Sequence, residues 1–294
     1  MKLRYLTLLA SAALLVSCNK EATLEVADNE MCFVVNHPST KATEDSFEAG
    51  DKIGVYIVKH NENSNTKPIL QLGGNYKNNN PVIYNGSEWK SEPIIYWEEG
   101  KFNIYAYYPY TYPDSVDEMS FSISQDQSIE DIGNGLSAFE ASDFLFASKI
   151  GVTAEDGNVN LPFKHKMSKL TINLHKGEDF EGELPNNAKV LIHSTVIDCF
   201  IDLSNGDVVK DPNAIGKTIV AKQVSEQRHS AIIVPQMLTN RRPLLEVIYG
   251  EVSYLMESKF NFRSGMHHII DVTINTNPEK VKIEVGGEID NWGW

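Results

Sequence analysis

The chain has 294 residues and a formal net charge of −14 at pH 7, with 26 basic residues against 40 acidic ones. This length is too large for one small hydrophobic core and predicts about two domains. The acidity argues against nucleic-acid binding, because phosphates need a basic face, and it gives the protein body no attraction to an anionic membrane.

The first eighteen residues follow the pattern of an export signal. A short basic stretch is followed by an apolar run, Tyr5–Val16, and by a small residue before Cys18. About twelve apolar residues cannot span a bilayer, which needs roughly 20, so residues 1–17 are predicted to be a cleaved signal peptide. Residues 15–18 resemble the bacterial lipobox, in which the cysteine thiol receives a diacylglyceryl group. Cys18 is therefore the predicted lipid attachment site. An ordinary secretory signal that contains a cysteine is the alternative.

Removal of residues 1–17 leaves 277 residues and makes the net charge −16, because that segment carries two basic residues and no acidic one. Residues 18–30 are largely polar and are predicted to form a tether. An acidic body does not adhere to anionic lipid, so the lipid itself must attach the chain. Several acyl chains, palmitate among them, attach a protein more stably than one.

From residue 31 onward the dominant pattern is alternation of apolar and polar residues, which predicts half-buried β-strands. The predicted strands lie, in chain order, at Met31–Asn36, 53–57, 102–108, 119–124, 170–174 and 266–274, with a hairpin over 244–256 around Gly250. Residues 127–141 contain Gly133 and Gly135 and predict a loop or a one-turn helix. No long amphipathic helix is expected.

This pattern predicts an all-β protein, because short strands recur every 8–12 residues between turn residues. The polar run at 154–158 interrupts the strands, which places a domain boundary near residue 158. The expected organisation is a β-sandwich over 31–158 and a second one over 159–294, each of Greek-key type.

Two cysteines remain after Cys18. Cys199 lies on the apolar face of an alternating run, which favours a buried free thiol. A Cys32–Cys199 disulfide is the alternative, since an oxidising compartment allows one.

The sequence contains no recognisable catalytic, phosphate-binding or metal-binding motif. Glu98 and Glu99 are neighbours on an extended chain and point in opposite directions, so they do not form a paired-carboxylate site. The same alternation separates His267 from His268 and predicts that His268 is a core residue. No catalytic residue, cofactor or metal ligand is predicted, and the expected protein is not an enzyme.

Aromatic residues are concentrated between residues 96 and 112. Trp97, Tyr105 and Tyr107 are the candidates for stacking against sugar rings, which would make the protein a glycan-binding surface lipoprotein. Tyrosine and tryptophan are also favoured in strands for packing reasons alone.

Several segments resemble, in their order and spacing, the fimbrillin family, the Mfa-like subunits of type V pili in Gram-negative anaerobes. They are Phe47–Tyr56, Trp89, Pro93–Trp97, Ile104–Tyr110, Ser142–Ala147, Phe163–Ile172, Ile232–Gln236 and Ile289–Trp292. The resemblance implies two transthyretin-like β-sandwich domains on a surface-exposed lipoprotein of the outer membrane. It implies a fimbrial subunit or adhesin that is not catalytic and whose partners are other pilus subunits.

The resemblance also implies assembly by strand exchange, in which a trypsin-like protease removes an N-terminal strand and a neighbouring subunit fills the vacant groove. Here that strand is Met31–Asn36, and cleavage would fall between Lys41 and Ala42. The family often has arginine where this chain has Lys41, so an uncut turn between two retained strands is the alternative. Val281–Trp294 would be the donor strand of a stalk subunit, but its alternating run is short, and a tip or anchor role stays open.

Overall fold

The computed structural model describes residues 29–38, 46–60, 68–133 and 135–290. Cys18, Lys41 and Ala42 lie outside the described residues, as do the signal peptide and most of the tether. Strands account for 53% of the chain and helices for 4%, which confirms the all-β prediction. No helix among the described residues is long and apolar enough to cross a membrane.

The strands are numbered β1 to β20 in chain order. Their bounds are β1 Phe33–Asn36, β2 Lys52–Lys59, β3 Lys77–Tyr84, β4 Trp89–Ser91, β5 Phe102–Tyr108, β6 Met119–Ser122, β7 Leu145–Val152, β8 Val159–Pro162, β9 Lys164–His165, β10 Ser168–Lys176, β11 Lys189–Thr195, β12 Asp198–Asp202, β13 Asp207–Lys210, β14 Lys217–Val220, β15 Lys222–Ser225, β16 Arg228–Ile233, β17 Gln236–Tyr249, β18 Val252–Phe262, β19 Met266–Ile274 and β20 Lys282–Asp290.

One short helix, α1 (Ala138–Ser142), falls in the stretch for which a loop or a one-turn helix was predicted. It begins with a capping box: the Ser137 hydroxyl accepts from the Glu140 backbone N–H, and the Glu140 carboxylate accepts from the Ser137 backbone N–H. Two single 3₁₀ turns lie at Ala154–Asp156 and Pro278–Lys280.

The first half of the chain forms an eight-stranded sheet with the order β8-β1-β4-β3-β2-β5-β7-β9. Only Phe163 separates β8 from β9, so both ends of this order belong to one stretch of chain. β8 runs parallel to β1, and β9 runs antiparallel to β7. The sheet therefore curls until its two ends meet, and Phe163 lies in the core that it encloses.

The central strands of this sheet are buried on both faces. Ile53, Val55 and Ile57 of β2 point into the enclosed core. Tyr56 and Val58 point the other way, into a second core that is shared with the C-terminal half. This explains why every residue between Ile53 and Val58 is buried.

The second half contains two sheets that pack face to face, with the orders β15-β16-β10-β19-β20 and β14-β11-β17-β18. Ala221 alone separates β14 from β15, so one stretch of chain passes from one sheet to the other. The predicted hairpin is confirmed, since β17 and β18 pair from Gln236↔Phe262 to Tyr249↔Val252 across the turn at Gly250.

A small third sheet, β13-β12-β6, links the two halves because β6 from the first half pairs with β12 from the second. β8 and β9 follow the predicted boundary near residue 158 in sequence but belong to the first sheet. The division into 31–158 and 159–294 stays a prediction.

Candidate functional site around the first strand

The segment before residue 39 is an alternating strand whose apolar side chains enter the enclosed core. Met31 and Phe33 are 1% and 5% exposed, whereas Val34 between Phe33 and Val35 is 41% exposed. The strand that the sequence predicts over Met31–Asn36 is thus present, and β1 covers its last four residues. Two fully buried large side chains contribute about 1.5–3 kcal/mol each to the stability of this arrangement.

Backbone hydrogen bonds hold this segment on both sides. On one side the Met31 N–H donates to the Ile95 carbonyl at 2.8 Å, and the Trp97 N–H donates to the Asn29 carbonyl at 2.7 Å. On the other side β8 pairs with β1 in parallel, and the Val159 N–H donates to the Cys32 carbonyl at 2.8 Å. The segment is an inner strand, although it comes from the beginning of the described chain.

The slot that holds the segment is apolar. Ile95 and Leu161 are fully buried, and Trp89, Val159 and Phe163 belong to the same core. Removal of residues 29–36 would leave unpaired backbone on both β4 and β8 beside an open apolar groove. Such a groove is satisfied when another strand enters it.

The described chain on the two sides of residues 39–45, the stretch that contains Lys41, meets at one aromatic cluster. The His37 and Phe47 rings lie 4.8 Å apart, edge to face. Phe47 also packs edge to face on Trp89 at 4.8 Å and on Tyr108 at 5.4 Å. The connection that carries the predicted cleavage position therefore starts and ends beside the slot.

A buried histidine lies next to this cluster. The His165 and His37 rings are 6.0 Å apart, and His165 Nδ1 lies 2.7 Å from Asp143 Oδ2. The His165 side chain is 1% exposed, so the pair fixes β9 against the loop that precedes β7.

Both described cysteines are free thiols. Cys199 is 2% exposed, as predicted for a buried thiol, and burial raises its pKa to about 12. Burial, followed by the charges of Glu30 and Glu88, also raises the pKa of Cys32. Neither thiol is activated as a nucleophile, and the disulfide alternative is not what the structure shows.

The three aromatic residues suggested for glycan stacking are core residues. Trp97 and Tyr105 are each 8% exposed and Tyr107 is 1% exposed. The Tyr107 hydroxyl donates to Asn79 Oδ1 at 2.7 Å, and its ring stacks on Phe144. Sugar stacking needs an exposed ring face, and these side chains offer none.

The polar residues set aside on sequence grounds also have structural roles. Glu98 pairs with Lys59 at 2.7 Å, and His268 is fully buried and packs edge to face on Phe260 and Phe262. His267 Nε2 lies 2.8 Å from the Thr171 hydroxyl. No group of three or more His, Cys, Asp or Glu side chains with metal-binding geometry occurs in the part of the chain that the structure describes.

The candidate donor strand is paired within its own chain. β20 lies antiparallel to β19, from Met266↔Asp290 to Thr273↔Lys282, and forms one edge of its sheet. Val281 and Ile283 pack against the second core, whereas Val285 is 61% exposed. Residues 291–294 lie outside the described part.

The fimbrillin-like family model matches residues 40–292. The chain belongs to the fimbrillin-like family. A relative from Bacteroides ovatus, named as a candidate fimbrium tip subunit, Fim1C, is 30% identical over 155 residues. That match covers 48% of this chain and 27% of the relative, so the chain spans about a quarter of that protein's length.

Two solved structures share the fold of this fimbrillin-like chain. Both are described as candidate cell adhesion proteins. The one from Bacteroides ovatus has a TM-score of 0.65 at 22% identity and covers 89% of this chain and 96% of its own. The one from Bacteroides uniformis also has a TM-score of 0.65, at 17% identity, with 90% and 98% covered.

The sequence did not predict that β8 pairs with the first segment. Val159, Leu161 and Phe163 alternate with polar or turn residues, so the strand itself is readable. Its parallel pairing with β1 is not, because pairing across more than 120 residues depends on how the sheet curls.

Proposed function

We propose that this chain is a non-catalytic subunit of a surface fimbrium or adhesive fibre that joins other subunits by strand exchange at the slot now filled by residues 29–36. The observation that carries the proposal is that a strand from the start of the described chain is an inner strand of its sheet. Family membership and the relative named as a fimbrium tip subunit support the fimbrial context.

The proposed route to the surface begins at Cys18. Lipidation there, with residues 18–30 as a tether, would hold the chain at the outer membrane. The test is detergent-phase partition of membranes from cells that express the wild-type chain or Cys18→Ala. The wild type is expected in the detergent phase and the variant in the aqueous phase. A variant that stayed in the detergent phase would refute lipid attachment at Cys18.

The proposed activation step is cleavage between Lys41 and Ala42. Because β1 ends at Asn36 and β2 begins at Lys52, one cut at Lys41 would break the covalent link between the first strand and the rest of the chain and leave both strands whole. We expect Lys41→Gln to abolish high-molecular-mass ladders on gels and Lys41→Arg, which keeps a basic side chain, to preserve them. Ladders that persisted in Lys41→Gln would show that assembly does not require cleavage after Lys41.

The proposed position is at an end of the polymer. While β20 stays on β19 it is not free to enter a neighbouring subunit, so the chain accepts a strand and does not donate one. The partners are other pilus subunits. Glycan stacking at Trp97, Tyr105 and Tyr107 is not carried forward, since the rings are buried.

A further inference from the structure

A cleft of about 440 Å³ opens at the far end of the sheet β14-β11-β17-β18. Its walls are the loop before β14 and the first residues of β17, and its floor is the end of β11. The lining residues are Ser194, Val196, Lys210, Ala214, Ile215, Gly216, Gln236, Met237, Leu238, Thr239 and Arg242.

The cleft exists because β11 separates from β17 early, although it stays paired with β14 as far as Thr195. β11 and β17 pair only from Lys189↔Ile248 to Ile192↔Leu245. Ser194 then adopts φ +61°, a left-handed conformation that turns the chain away, and its hydroxyl donates to the Pro243 carbonyl at 3.0 Å. The β17–β18 pairing, by contrast, continues to Gln236, with a register shift between Leu238 and Arg242.

One side of the first part of β17 is consequently an open strand edge. Among the described residues, no strand pairs with Met237–Arg242 on the side of β11. An open edge of this kind is a template for one further strand, because its backbone N–H and C=O groups lack partners.

The floor of the cleft is rigid. The Gln236 side chain accepts from the Val196 N–H at 2.9 Å and donates to the Val196 and Val234 carbonyls at 2.9 and 3.0 Å. Gly216 lies against the Ser194 backbone so closely that a Cβ there would lie 3.1 Å from the Ser194 carbonyl carbon. A ligand would therefore meet a preformed site.

The cleft is lined by basic and apolar side chains, which favour an acidic ligand with some apolar surface. Lys210 and Arg242 are exposed, and neither has an acidic side chain within 4.0 Å among the described residues. None of the residues lining the cleft is acidic, although the whole chain carries a charge of −14. Ile215 and Met237 are 82% and 59% exposed.

We propose that this cleft binds an acidic polypeptide segment in extended conformation, which adds as a strand to Met237–Arg242. Its carboxylates would pair with Lys210 and Arg242, and an alternate apolar side chain would cover Ile215 and Met237. A saccharide fits less well, since no aromatic ring lines the cleft. The inference is independent of strand exchange at the first strand.

The test is fluorescence anisotropy with the full chain and a labelled peptide of alternating glutamate and valine. Two peptides serve as controls: one with lysine in place of glutamate, and one N-methylated at every residue, which keeps the charge but cannot donate backbone hydrogen bonds. The glutamate peptide is expected to bind, more weakly as salt rises, and both control peptides are expected to fail.

Lys189 provides a matched control variant because it is an exposed lysine of the same sheet that lies opposite Ile248, at the other end of the β11–β17 pairing, and does not line the cleft. We expect Lys210→Gln and Arg242→Gln each to weaken binding about three-fold or more, and Lys189→Gln to leave it unchanged. Unfolding midpoints equal to that of the wild type would show that the variants fold.

Three results would overturn the proposal. They are equal binding of either control peptide, an equal loss in Lys189→Gln, and binding of polygalacturonate that is lost in Lys210→Gln, which would assign the cleft to an acidic carbohydrate. None of them bears on cleavage at Lys41 or on the first strand.

Discussion

At the scale of single residues, Gly54 shows how tightly the two cores share one sheet. A Cβ at this position would lie on the Tyr107 ring and within 2.6 Å of Asn79 Oδ1. Gly54→Ala is expected to lower the free energy of unfolding by about 1–3 kcal/mol through overpacking. Chemical denaturation measures this. Gly73→Ala, which has open space around the added methyl group, is the control and is expected to change little.

Histidine burial predicts a pH dependence of stability. Burial, followed by the charges of Lys169, His268 and His165, lowers the pKa of His267 to about 4. Below its ordinary pKa of about 6.5 the unfolded chain then binds more protons than the folded one, so stability falls as the pH drops from about 6.5 to about 4. Burial acts in the same direction on His229.

Between pH 6.5 and 4, His267 is expected to lower the free energy of unfolding by at most about 3 kcal/mol. The measurement is urea unfolding at pH 7, 5.5 and 4 for the wild type and His267→Gln. The variant is expected to lose less stability over this range than the wild type. An identical pH profile in both chains would contradict the assignment to His267.

The aromatic residues show where sequence reasoning fails at this scale. Tyr105 and Tyr107 alternate with apolar residues, and alternation in a half-buried sheet predicts that one set faces solvent. Every residue of β5 is buried, because both faces of the strand are covered. The sequence does not reveal this, since the second cover is formed by other elements, among them Phe144, which stacks on Tyr107, and strands of the second half.

At the scale of elements, strands were predictable wherever alternation and turns coincide. The hairpin around Gly250 and the strands containing Met119 and Leu170 were found because local pattern and turn chemistry agree. The closure of the first sheet at Phe163 and the early separation of β11 from β17 at Ser194 could not be found. The closure depends on how distant strands pair. The separation of β11 depends on the left-handed backbone of Ser194, which is not a glycine and so gives no sequence signal.

The pairing of β20 with β19 predicts that the last strand can be locked without loss of assembly. Thr273 and Lys282 are direct neighbours across the two strands. A Thr273→Cys/Lys282→Cys pair, oxidised after folding, is expected to leave polymer ladders unchanged, because β20 stays in place. The reduced form of the same variant is the control. Ladders that appear only after reduction would show that β20 has to leave β19.

At the scale of the whole molecule, the proposed strand exchange depends on the first strand and the slot around it. The segment is bonded on both sides and fills an apolar slot, so its loss is costly until another strand replaces it. A subunit built in this way would stay monomeric until it is cut and would then bind a neighbour tightly.

The most direct test of strand exchange after cleavage is the intact mass of the chain extracted from detergent-resistant polymers on the cell surface. Strand exchange after cleavage predicts a chain that begins at Ala42 and lacks the lipid on Cys18. A chain that begins at the lipidated Cys18 in every polymer would contradict the account, because the first strand would then still occupy its slot.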